Sequence, residues 1–213
     1  MMNPTARNLL VWLHALTSFA WMSQALALFA LSVYSVTTGD RTGFEMAELL
    51  DSQVLLHLAN ASIFTGLMLS ATTRWGYFQY WWVLSKFVIS MSQVYAAIFL
   101  LGPRLKELAE GTRDADSFLL VGTLLMVSAI AFQGWLSIAK PWKRTPWTGK
   151  LIKPPAAPAW VICYVLLVPL LDYLLATFVF GHPAPLFFIV TAIFYPLWRA
   201  RTIRRTAGAQ PAT

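Results

Sequence analysis

Asp51-Ser-Gln-Val-Leu-Leu-His57-Leu-Ala-Asn60 opens an apolar run that reaches Thr72 and breaks at Thr73-Arg74-Trp75-Gly76. The run resumes at Tyr80-Trp81-Trp82-Val83-Leu84-Ser85-Lys86 and ends at Gly102-Pro103. Each limb holds about twenty residues, enough to cross ~30 Å of hydrocarbon as a helix. Both limbs carry groups that lipid cannot satisfy: His57, Asn60, Lys86 and Gln93. Neighbouring helices must therefore cover them, which makes the chain an all-α, polytopic transmembrane bundle.

Composition agrees. Of 213 residues, 58% are hydrophobic and 12% charged, about half the ~25% charge of a soluble domain. The basic residues behind the net charge of +7 stand beside apolar spans. They suit anionic lipid headgroups and give no sign of a nucleic-acid surface. The single cysteine, Cys163, excludes an intramolecular disulfide and a cysteine-built metal or iron–sulfur centre. The first apolar run, Leu9 to Val36, far exceeds the ~7–15 residues of a signal-peptide core, so a retained helix is expected.

Six helices follow: about Asn8–Val36, the two limbs, about Ser117–Ala139, Ala159–Gly181, and a short Pro185–Trp198 in which Pro196 marks a bend or the interface. With the N-terminus inside, Arg7, Arg74, the Lys140–Lys153 stretch and the arginines from Arg199 to Arg205 all fall on the cytoplasmic side. Arg41, Arg104, Lys106 and Arg113 fall outside among most of the acids. This is the positive-inside pattern for both termini in the cytoplasm. Residues 1–150 form a four-helix module, 151–205 add two helices, and 206–213 are expected to be a disordered tail. Trp142 and Trp147 in the Pro-rich linker are expected among headgroups, and His182 in a solvated turn.

Helical spacing assigns the polar residues to faces. His14, Thr17, Ser18, Trp21 and Gln24 share a side, as do His57, Asn60, Ala61 and Thr65, and Lys86, Ser90, Gln93 and Ala97. At about 1.5 Å per residue, Gln24, His57, Gln93 and Asp172 lie roughly 20 Å from the cytoplasmic face, with Asn60 nearer the middle. A polar pocket in the outer half is expected from these five. Asp172 is the candidate general acid, His57 its partner, and Asn60, Gln24, Gln93 and Trp21 the substrate-binding set. Each has a plain alternative: interhelical glue for the amides, a structural hydrogen bond for Asp172, and snorkelling for Lys86. Ser62 and Gly66 form a small-xxx-small pair suited to close helix approach.

Four functions remain open. The first is binding, or acid–base isomerisation or cyclisation, of a lipophilic small molecule. The others are a non-catalytic accessory subunit, a proton-coupled transporter, and a b-type haem protein. No metal or cofactor is otherwise expected. The roughly 10 Å difference in depth between His14 and His57 disfavours a bis-histidine haem. Phosphate loops, dinucleotide fingerprints and serine-nucleophile motifs are absent from the sequence.

Trp75-Gly76-Tyr77-Phe78 with Trp82-Val83-Leu84-Ser85-Lys86 resembles the helix 2–3 turn of a family of small, uncharacterised, mostly actinobacterial multi-pass membrane proteins. His14, Ser18 and Trp21 resemble its first helix. Leu136-Ser137, Lys140-Pro141-Trp142 and Arg144-Thr145-Pro146-Trp147 resemble the end of its fourth. The resemblance covers about residues 8–150 and implies a four-helix module in a bacterial cytoplasmic membrane, with no activity attached. Members carry histidines where Tyr80 and, approximately, Gly102 stand here, so a metal or haem held by those histidines would lack them in this chain. The last two helices, with Asp172, lie outside the resemblance.

Overall fold

The computed structural model describes residues 4–73, 75–115, 117–148, 159–181 and 185–208, without the side chains of residues 159, 200 and 203–208. Six helices account for the fold: α1 (Pro4–Thr38), α2 (Thr42–Thr72), α3 (Trp81–Glu110), α4 (Ser117–Ala139), α5 (Ala159–Leu175, carried on through Ala176–Phe180) and α6 (Leu186–Gly208). No strand occurs among the described residues; a lone bridge joins Tyr80 to Arg144. Five helices are long and apolar enough to cross a membrane, and α6 has a shorter apolar stretch, Leu186–Arg199. His182, Arg74, Lys150, Lys153 and the last five residues lie outside the described part.

Three boundaries differ from the sequence reading. The second helix begins at Thr42 and not at Asp51, and the third runs past Gly102-Pro103 to Glu110. Neither the charge at Asp51 nor the Gly-Pro pair stops a helix, because each falls at a π turn. Leu56 N–H reaches back five residues to the Asp51 carbonyl, and Gly102 N–H reaches back to Ala97. Widening the turn ahead of Pro103 accommodates a residue with no N–H of its own and a ring that crowds the preceding turn. Beyond these turns, Phe44 and Ala47 of α2 are buried in one cluster with Leu105 and Leu108 of α3. That packing draws both helices past membrane length. The third difference is at the end of the chain. The last helix continues through Arg199 and Arg201 to Gly208, so residues 206–208 are helical where a disordered tail was expected.

The helices alternate in direction. α1 is central, packing on α2 and α4; α3 lies on α4, and α5 and α6 lie on α2. Close approach of α1 and α2 depends on two glycines. A Cβ at Gly43 would stand 2.4 Å from the Leu31 carbonyl oxygen, and one at Gly66 would stand 2.9 Å from His14 Cε1. The small pair Ser62/Gly66 therefore brings α2 against α1, with Ser18 Oγ 2.7 Å from Ser62 Oγ.

At the basic end, the α2–α3 loop and the linker after α4 are tied together. Thr145 Oγ1 and Trp147 Nε1 both donate to the Phe78 carbonyl, at 2.7 and 2.9 Å. The Thr145 N–H and the Thr148 hydroxyl both donate to the Gln79 carbonyl at 3.1 Å. Trp147 is exposed while its indole N–H holds the loop.

Candidate functional site

The intramembrane polar residues fall into two groups. The first is a seam through α1–α4. Lys86, Ser90 and Gln93 follow one face of α3, and α4 answers at matching spacing. Lys86 Nζ donates to Ser137 Oγ (2.7 Å), Ser90 Oγ to Gln133 Oε1 (2.9 Å) and Gln93 Nε2 to the Met126 carbonyl (3.0 Å). Gln133 Nε2 closes the ladder on Gln93 Oε1 at 2.6 Å. Lys86 thus turns toward α4. On the other side of α1, His14 Nδ1 lies 3.0 Å from the Ser62 carbonyl and 3.2 Å from Thr65 Oγ1. A carbonyl only accepts, so Nδ1 carries the proton.

The second group lines a notch between α2, α5 and α6. Its walls are His57, Asn60, Phe64, Asp172, Tyr173 and Pro185, with Ala61, Val168, Pro169 and Phe188 completing them, and it encloses about 20 Å³. Asp172 is buried, and its two carboxylate oxygens accept the Phe187 and Phe188 N–H groups, each at 2.9 Å. Those are the second and third residues of α6, whose first-turn N–H groups have no partner within the helix. An acid on α5 therefore supplies the N-terminal cap of α6. The His57 ring meets the edge of Tyr173, with centroids 5.0 Å apart. Among the described residues, neither His57 nor Asn60 has a hydrogen-bond partner for its side chain.

Of the six expected site residues, the structure brings together Asp172, His57 and Asn60. Gln93 is on the far side of α1, committed to α4. Trp21 is buried in the main core beside Leu28 and Leu55. Gln24, with its Oε1 buried and unpartnered among the described residues, is likewise absent from the notch lining. A periodic stripe tells which residues share one side of a helix; it carries no information about which neighbour that side meets.

The two histidines are also apart. His14 lies flat against Gly66 between α1 and α2, while His57 faces α5. Thr65, which touches His14, is eight residues along α2 from His57, about 12 Å along the axis. No group of three His, Cys, Asp or Glu side chains placed to hold a metal occurs among the described residues.

The reading from sequence missed Gln133, which binds two partners across the seam. Its signal was present: Gln133 and Ser137 are a polar i, i+4 pair in a largely apolar helix, matching the Lys86–Ser90 step on α3. It also missed the meeting of Arg199 with the α2–α3 loop, which has no local signature at all. Comparison with known proteins gives no matching family model, no matching curated protein and no matching solved structure.

Proposed function

We propose that the protein binds the polar end of a lipophilic small molecule in the notch between α2, α5 and α6. We place it in the cytoplasmic membrane of a bacterium, both termini inside, with its basic end against anionic headgroups. The observation that carries the reading is the pair His57 and Asn60. Both line one notch in a membrane-spanning region, and neither has a hydrogen-bond partner among the described residues. Polar groups at membrane depth are costly unless something answers them.

The size of the notch limits the ligand. About 20 Å³ takes a water or a carbonyl- or hydroxyl-sized head, well below the ~300–1,000 Å³ of a pocket that encloses a drug-sized molecule. The apolar remainder of the ligand would lie among acyl chains and against Phe64 and Phe188. His57 offers a donor and an acceptor, and Asn60 both an amide N–H₂ and a carbonyl. Asp172 is already engaged twice. To act as a general acid it would carry a proton on one oxygen and give up the N–H bond made there, which favours binding over isomerisation or cyclisation.

The test is extraction of small lipophiles from purified native protein, from His57→Phe and from Asn60→Leu. A near-stoichiometric species present in the native protein and lost from both folded variants is the expected outcome. Equal content in all three would remove the reading. A second reading, a non-catalytic accessory subunit, draws on α3. That helix buries the smallest share of any of the five spans, packing on α4 along its first half and on α2 at its far end, which leaves a long face for a partner. Co-purification of a second integral membrane protein, abolished by polar substitutions on that face, would favour it.

A further inference from the structure

At the basic end, away from the notch, the α2–α3 loop meets the last turns of α6. Arg199 Nη2 donates to the Thr73 carbonyl at 3.2 Å, the single hydrogen bond its guanidinium makes among the described residues. A guanidinium has five N–H donors, so most of its capacity is unspent. Its electrostatic neighbours are two phenols, Tyr77 of the loop and Tyr195 one helical turn earlier on α6. No carboxylate balances it among the described residues: Asp40, Glu45, Glu48, Asp51, Glu107, Glu110 and Asp114 belong to the segments at the opposite end, and Asp172 caps α6 at its far terminus.

The Tyr77 hydroxyl is buried and has no hydrogen-bond partner among the described residues. Burial pushes its ionisation upward, so it stays a neutral O–H with a proton to donate. A fixed cation, an unspent donor fork and a buried hydroxyl without an acceptor together need an oxyanion with several oxygens. We propose that Arg199, Tyr77 and Tyr195 hold the phosphate of a membrane phospholipid, with the guanidinium gripping it and the two phenols donating to its remaining oxygens.

The surroundings favour a lipid over a free phosphate. α6 packs chiefly on α2 and α5, and Trp198, tilted against Tyr195 with ring centroids 5.9 Å apart, is exposed. An exposed indole beside a phenol and arginines at the end of an apolar helix is the composition of a headgroup-level belt. The phosphate of a lipid lying against α6 would arrive at the level of Arg199, and the Tyr77 hydroxyl would have to turn toward it from its buried position.

The test uses the full chain in detergent, native mass spectrometry and added phosphatidylglycerol. Native protein is expected to retain one lipid at protein concentrations where Tyr77→Phe and Arg199→Gln each bind at least fivefold more weakly. Tyr77→Phe removes one oxygen, so the lipid-free variant should unfold at the same temperature as native protein or a higher one. Equal lipid affinity in native protein and Tyr77→Phe, whether or not the midpoint rises, would overturn the site. Displacement of the lipid by millimolar sodium phosphate would overturn the lipid assignment and leave an inorganic anion site. Loss of lipophile from the notch variants bears on neither outcome.

Discussion

Gln93 and Asn60 are both amides on membrane-spanning helices, and their surroundings differ. Gln93 donates to a carbonyl of α4 and accepts from Gln133, inside a ladder that runs from Lys86 to Met126. Asn60 lines a notch and has no partner among the described residues. The seam between α3 and α4 matches its polar groups against one another, which is what holding helices together requires. Where α5 and α6 join, the Phe187 and Phe188 N–H groups of α6 are matched by Asp172, and His57 and Asn60 of α2 are not matched among the described residues. Satisfied polar groups report architecture; unsatisfied ones report room for something else.

The sharpest way to break that contrast is Gln133→Leu. It strands Ser90 and Gln93, and each buried polar group left without a partner costs about 1–3 kcal/mol. The double change Gln93→Leu with Gln133→Leu should recover part of the loss. Denaturation in mixed micelles measures both, and a silent Gln133→Leu would dismantle the seam as a source of stability. Gly66→Ala comes next, at about 1–3 kcal/mol, because its Cβ would press on the His14 ring at 2.9 Å. Most of that cost should vanish in a His14→Ala background, whereas independent, additive losses would show that the contact is elsewhere.

Asp172→Asn is smaller. The amide keeps one acceptor and turns N–H₂ toward the other α6 donor, so about 1 kcal/mol of capping should go. Hydrogen exchange at Phe187 and Phe188 would accelerate while the seam stays protected. Unchanged exchange would mean the cap is not what seats α6. Asn60→Leu should shift stability by no more than ~0.5 kcal/mol, since no bond is lost; a large drop would move Asn60 into the class of Gln93.

The last effect is local. Asp40 accepts the Thr42 N–H at 2.9 Å and its hydroxyl at 2.7 Å, which hold its carboxyl below the usual carboxylate range. A depressed acid stabilises above its unfolded value near ~3.9, and loses that contribution as pH falls through the folded value. Faster Thr42 exchange should appear only at the acid end of a pH series, with the seam and notch unaffected.

Much of this was legible beforehand, and for a physical reason. A helix has a fixed rise and period, so Lys86, Ser90 and Gln93 had to share a side, and His57 and Asn60 had to share another. The same arithmetic hid the helix ends. Asp51 and Pro103 look like stops only while each turn is assumed to close four residues back, and both helices close one turn five residues back instead. Asp172 looked like a buried acid awaiting a partner; its partners were backbone N–H groups, which carry no signature in the sequence.

Apolar length and charge asymmetry by themselves determined that the chain is a helical membrane bundle, because hydrocarbon admits no unpaired backbone and few charges. Only the packing of one helix on another decided that Gln93 faces Gln133, that Asp172 caps α6, and that Arg199 returns to Thr73. Those are contacts between segments up to 126 residues apart, and no local pattern encodes which of several apolar neighbours a polar face will meet.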